Sequence, residues 1–174
     1  MKLYIFIVLQ IVFGISALAQ HSFEFTFGTT NDEELFDGIQ DKDGNFVICG
    51  RIGSYMQEYN PLIIKVMPDG SFISKRFLSA DTLGYFTLVT QTSDGNYLFI
   101  GKYGIIDYQK TNYLWVVKTD VDLNTIFEKS YCIEDSLYFN CNMHQMYIDR
   151  DSNYIVAGTR QFKDPVTDFS DRWM

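Results

Sequence analysis

An eight-residue phrase recurs three times along this chain of 174 residues: DGNFVICG at 43–50, DGNYLFIG at 94–101 and DSNYIVAG at 151–158. Its opening aspartates, Asp43, Asp94 and Asp151, lie 51 and 57 residues apart. A period of that size marks a repeat architecture, in which each unit is one supersecondary element stacked on its neighbours. Within the phrase, turn formers precede an apolar run with no polar alternation. That order predicts a tight turn followed by a strand covered on both faces.

Two further markers keep the same register. LIIKVMPDG (62–70) matches WVVKTDVDL (115–123), which sets Lys65 and Lys118 53 residues apart. An aromatic-rich segment, FEFTF at 23–27, SKRFL at 74–78 and FEKSY at 127–131, ends 16, 16 and 20 residues before the phrase aspartates. Each unit therefore reads as four short strands. Strand one is FDGIQ, TLVTQ or QMYID, strand two is the phrase, strand three is LIIKV or LWVVK, and strand four is the aromatic-rich segment. The turns DKDGN, TSDGN, DRDSN, MPDGS and TDVDLN are rich in Asp, Asn, Ser and Gly, so the strands that they join are expected to be antiparallel hairpins.

FEFTF has no strands one to three ahead of it, so it is expected as an orphan fourth strand over 22–28, with repeats starting near 35, 85 and 143. The terminal DRWM places Trp173 58 residues after Trp115, where a strand three would open, and the pattern is expected to run on past Met174, leaving this chain a fragment. An all-β fold of four-stranded antiparallel units, covered on both sides, predicts a partial β-propeller over residues 20–174. In such a ring an orphan strand would complete the last blade and cover a free edge.

The pattern DGNYLFIG, LWVVKTDVDLN and FEKSY resembles the β-propeller repeats of secreted bacterial proteins, often type IX secretion substrates, over about residues 22–174. The resemblance implies an exported scaffold for recognition or adhesion. These 174 residues hold only two full units and the start of a third, and they do not include the sorting domain common on such substrates, as expected of a fragment.

Residues 1–19 combine Lys2, an apolar run and Ala17-Leu18-Ala19, the small-x-small pattern of a cleaved signal peptide, so a secreted or cell-surface location is expected. The run is short for a membrane span, and none is expected after cleavage. Removing it takes away only Lys2 and leaves 13 basic and 22 acidic side chains, a net charge of −9. Such a surface repels phosphate backbones, so nucleic acid is not expected as a partner. Of the three cysteines, Cys49 replaces Ile100 and Ala157 of the other phrases and is expected in the core. Cys132 and Cys141 form a candidate disulfide.

No catalytic set, metal site or cofactor is read from the residues. DKDGN (Asp41, Asp43, Asn45) and DVDLN (Asp120, Asp122, Asn124) have the alternate oxygens of calcium loops, yet position twelve would be Ile52 and Tyr131 where a glutamate is required. His144 stands in strand one where the other units have Phe36 and Thr87, without a second histidine or a paired cysteine in metal-binding spacing. The longer, dissimilar connections between strands two and three and between four and one fall on one face, the natural binding surface of a rigid scaffold. They bring Tyr55, Tyr59, Tyr103, Tyr108 and Phe162 beside Asp32, Glu33, Glu34, Asp81, Glu134 and Asp135. Rings flanked by acids suit stacking on a glycan or docking of a protein. The alternative is the N-terminal part of a carbohydrate-active, glycosidase-like propeller enzyme with its carboxylate pair beyond residue 174.

Overall fold

The computed structural model describes residues 24–53, 59–77, 84–103, 113–131, 139–162 and 170–173. Among them lie strands only. The first sheet holds β1 (Asp32–Gln40), β2 (Phe46–Gly53), β3 (Asn60–Val66) and β4 (Phe72–Phe77). The second holds β5 (Gly84–Gln91), β6 (Tyr97–Tyr103), β7 (Tyr113–Thr119) and β8 (Thr125–Tyr131). The third holds β9 (Phe139–Ile148), β10 (Tyr154–Phe162) and β11 (Ser170–Trp173). Each sheet is an antiparallel meander in which spatial order follows chain order. β1, β2 and β3 pack on β5, and β5 and β6 pack on β9, so the sheets stack and converge on their first strands.

The same β-bulge occurs in every sheet. Phe36 is skipped in β1, Thr87 in β5 and His144 in β9. These residues share the 51- and 57-residue intervals of the phrase. The bulge explains the glycine that closes the phrase. A Cβ on Gly50 or Gly101 would lie 2.0 Å from the carbonyl oxygen of Glu34 or Tyr85, and one on Gly158 would lie 2.3 Å from that of Asn142. The extra residue pushes the partner backbone across the strand, and only a hydrogen side chain leaves room for it.

Five hairpin turns, beginning at Asp41, Met67, Thr92, Asp120 and Asp149, share one hydrogen-bond pattern. In each, the first N–H donates to the fifth carbonyl and the fourth N–H to the first carbonyl. The fourth residue has positive φ: Gly44 at 85°, Gly70 at 85°, Gly95 at 84°, Leu123 at 66° and Ser152 at 64°. Asp41, Asp120 and Asp149 each accept the third and fifth N–H groups through Oδ1, while the asparagine that ends the turn donates Nδ2 to Oδ2. The first acid of each calcium-like triplet, Asp41 or Asp120, thus uses both its oxygens on the turn itself.

Two cores fill the stack. Val47, Cys49 and Ile63 of the first sheet meet Phe86, Tyr97, Phe99, Trp115 and Val117 of the second, and the Phe86 and Trp115 rings stack at 4.7 Å. Leu98, Ile100 and Val116, on the opposite face of the second sheet, meet Met143, Met146 and Val156 of the third. Cys49 is a buried free thiol, as its place in the phrase predicts.

Polar staples repeat beside these cores. The Tyr97 hydroxyl donates to Asp41 Oδ2 at 2.7 Å, and the buried Lys65 ammonium sits 3.9 Å from the same oxygen and donates to the Val121 carbonyl. One unit later, Lys118 donates to Asp94 at 2.6 Å and is also hydrogen-bonded to Tyr154. Burial would raise the Asp41 carboxyl, but hydrogen bonds from Tyr97, Asn45 and the backbone hold it below the usual range.

The expected orphan strand is not a strand over its described part, residues 24–28. Phe25 and Phe27 instead pack on Ile52, Leu62, Ile64 and Val66, on the side of the first sheet away from the second. Phe25 stacks on Phe72 at 6.2 Å. With aromatic residues at every second position, an extended segment can lay its rings on a sheet face without hydrogen-bonding to its edge.

Candidate recognition site on the inner strands

Two of the loop-face aromatics, Tyr59 and Tyr103, have described side chains, and both are half-buried. The Arg51 guanidinium lies 3.8 Å from the Tyr59 ring centroid, 5.4 Å from Tyr85 and 5.6 Å from Phe36, while Arg51 Nε donates to Glu34 at 2.7 Å. Tyr103 lies against Tyr113 and Trp115 at 5.9 and 6.0 Å. These rings close the loop end of the first two sheets. Burial pushes the Tyr85 phenol up, and the nearby Arg51 cation partly offsets it. The residue after the phrase glycine repeats this bridging role, because Lys102 donates to Asn142 of the third sheet at 2.7 Å. Phe162 lies in β10, paired with Phe139 and Ser170. Tyr55, Tyr108, Asp81, Glu134, Asp135 and Cys132 fall outside the described residues, as do residues 1–19, and the proposed disulfide with Cys141 of β9 falls there with them.

A different place gathers polar side chains. Where the first strands converge, a cavity of about 560 Å³ is lined by Asp37, Thr90, His144, Gln145 and Tyr147, with Leu88, Met146 and Ile155 among its apolar walls. Its size falls within the range of small-ligand sites. Asp37 follows the bulge of β1, and its Oδ2 accepts the Val89 N–H of β5 at 2.9 Å, joining the first two sheets at the cavity wall. His144 is the bulged residue of β9, exposed, with Nε2 hydrogen-bonded to Thr159 Oγ1 at 3.1 Å. Tyr147 is 64% exposed and pairs across the ladder with Ile155, so an apolar platform adjoins the hydrogen-bonding groups.

No family model matches this chain, and no curated protein matches it. The cavity itself must carry the reading. Among the described residues no cluster of three or more metal-ligating side chains forms, and no helix is long and apolar enough to cross a membrane.

Sequence reasoning singled out only His144 among these residues. The others were legible as departures from the repeat. Asp37, Leu88 and Gln145 occupy one register position in the three first strands, and Ile39, Thr90 and Tyr147 occupy another. The backbone repeats at these positions while the chemistry changes. Among the described lining residues Asp37 is the one carboxylate, a negative charge that disfavours anions there.

Proposed function

We propose that this protein is an exported, non-catalytic recognition or adhesion scaffold of the β-propeller type, its sheets serving as blades, with the inner-strand cavity holding a glycan or a segment of a protein. The observation that carries the reading is the contrast at the cavity, where a backbone repeated down to its bulges presents side chains that do not repeat. A scaffold conserves geometry between its units, whereas a ligand site requires particular groups at particular places. Thr90, His144 and Gln145 offer hydrogen bonds beside the Tyr147 ring, the combination that suits a polyhydroxylated ring or a neutral-to-basic peptide.

The test is a glycan array and a peptide array probed with the chain and with a Thr90→Val/His144→Ala variant. The reading expects a ligand whose binding falls at least about tenfold in that variant, a loss of about 1.4 kcal/mol. It also expects binding to survive in Tyr103→Ala. Equal binding by the chain and the cavity variant would refute it.

A further inference from the structure

Four Asp-Gly pairs occur in this chain: Asp37-Gly38, Asp43-Gly44, Asp69-Gly70 and Asp94-Gly95. Such a pair is chemically labile, because glycine has no Cβ to keep its amide nitrogen away from the carboxyl group of the residue before it. The fold treats one of the four differently from the rest.

Three of the pairs sit in hairpin turns, where the glycine N–H is bonded to the main chain. Gly44 donates to the Asp41 carbonyl at 3.0 Å, Gly70 to the Met67 carbonyl at 2.9 Å and Gly95 to the Thr92 carbonyl at 2.9 Å. Two of these aspartates are also held by other groups, since Asp69 Oδ1 accepts from the Ser71 N–H and hydroxyl and Asp94 Oδ2 accepts from Lys118. Gly38 lies instead in β1, just past the bulge at Phe36, and its N–H meets Oδ1 of Asp37 at 2.9 Å. Oδ2 of the same carboxyl accepts the Val89 N–H of β5 at 2.9 Å, which pins the group with its other oxygen against the glycine nitrogen. Gly38 is exposed and Asp37 is half-buried at the cavity wall, so water reaches both.

We propose that Asp37-Gly38 is a site of spontaneous isoaspartate formation in the folded protein, with water as the only co-reactant. The Gly38 nitrogen bonds to Asp37 Cγ, the Cγ–OH bond of the protonated carboxyl breaks, and the hydroxyl leaves with the amide proton as water. A five-membered succinimide ring remains. Water then adds to one of the two ring carbonyl carbons and breaks its bond to nitrogen. Addition at Cγ restores aspartate, whereas addition at the main-chain carbonyl carbon routes the chain through the side chain and frees the old carbonyl as a carboxylate. No electrons are exchanged, and the mass returns to its starting value. Proximity drives the selectivity, because groups held about 3 Å apart have already lost much of the freedom that a flexible chain must give up to react. The isomer adds one backbone atom to β1 and turns the acceptor of the Val89 N–H into main chain, so it loosens the joint between the first two sheets.

The test incubates the chain at neutral pH, digests samples over time and counts isoaspartate at each pair by liquid chromatography with electron-transfer fragmentation, which separates isomers of equal mass. In the folded chain isoaspartate at Asp37 should accumulate at least about threefold faster than at Asp43, Asp69 or Asp94. In the same chain held unfolded in urea, the four pairs should react at similar rates, so folding slows the three turn pairs and spares Asp37. Gly38→Ala, whose Cβ meets its nearest neighbour at 3.3 Å, should bring Asp37 down to the level of the turn pairs. Isomerisation at Asp37 no faster than at the turn pairs, or slowed by folding as much as theirs, would overturn the inference, whatever the ligand arrays show.

Discussion

Replacing Gly101 by alanine tests the physical reason for the repeated phrase. The added Cβ would sit 2.0 Å from the Tyr85 carbonyl oxygen, 2.7 Å from the Phe86 Cα and 2.8 Å from the Tyr85 carbonyl carbon. Normal contact is about 3.4 Å, so β5 and β6 must separate by more than 1 Å, and the obstacle is backbone that cannot rotate away. Separation weakens the ladder on either side of the bulge, at about 1 kcal/mol for each hydrogen bond lost. It also opens the core where Phe86 stacks on Trp115, with overpacking costs of about 1–3 kcal/mol. Against this, alanine restricts the unfolded chain and returns about 0.4–1 kcal/mol. The net expectation is a loss of about 3–4 kcal/mol, a large part of the stability of an ordinary domain. Urea unfolding followed by tryptophan fluorescence measures it. Gly38→Ala is the control, since its Cβ would come tightest to the Ile48 side chain at 3.3 Å and would meet the Val47 carbonyl oxygen and Ile48 Cα only at 3.6 and 3.8 Å, ordinary contact distances. It should cost less than about 1 kcal/mol. A Gly101→Ala midpoint matching that of Gly38→Ala would refute the bulge argument.

Three other predictions follow from the staples and the core. Tyr97→Phe removes one of the donors to the buried Asp41 carboxylate and should cost about 1–3 kcal/mol by urea unfolding, the range for a hydrogen bond to a charged group, with Asn45 and Lys65 left beside the same oxygen. Acid should destabilise the protein as the pH falls below about 4, since Asp94, held down by Lys118 and Thr92, and Asp41 both have carboxyls lowered in the folded state; stability that they contribute is complete above the unfolded carboxylate pKa and is lost as protons bind. Asp94→Asn should flatten that acid limb in melts recorded from pH 7 to 2. Cys49, pushed well above the ordinary thiol range by burial, should label with an aromatic disulfide reagent only as fast as the protein unfolds, whereas labelling at the rate of a free thiol would contradict its place in the core.

The architecture was legible because the phrase records three backbone demands at once. Gly44 and Gly95 supply positive φ, the apolar run fills a sheet covered on both sides, and the closing glycine admits the bulge. Aligning His144 with Phe36 and Thr87 in the sequence identified the bulged residues without naming the bulge. The strands extend further than the sequence suggests, as with β1 from Asp32 and β9 from Phe139, because pairing resumes beyond the bulge where no apolar pattern marks it. FEFTF read as a strand because alternating aromatics fit either a strand or an extended segment laid on a sheet, and composition does not distinguish edge pairing from face packing. The loop tyrosines carry the same ambiguity. An aromatic at a strand end stacks equally well on a ligand or on a neighbour, and Arg51 supplies that neighbour for Tyr59. Asp37, Thr90 and Tyr147 drew no attention because they lack any motif; only knowing which strands converge brings them together.

On the proposed reading, recognition resides in the non-repeating residues of the converging strands. The most direct measurement is the map of amide chemical-shift changes when the chain is titrated with the best ligand from the arrays. Changes are expected to centre on Thr90, His144 and Gln145, with Tyr59 and Tyr103 unmoved. Changes centred on Tyr59 and Tyr103, with the inner strands silent, would contradict it and return the site to the loop face.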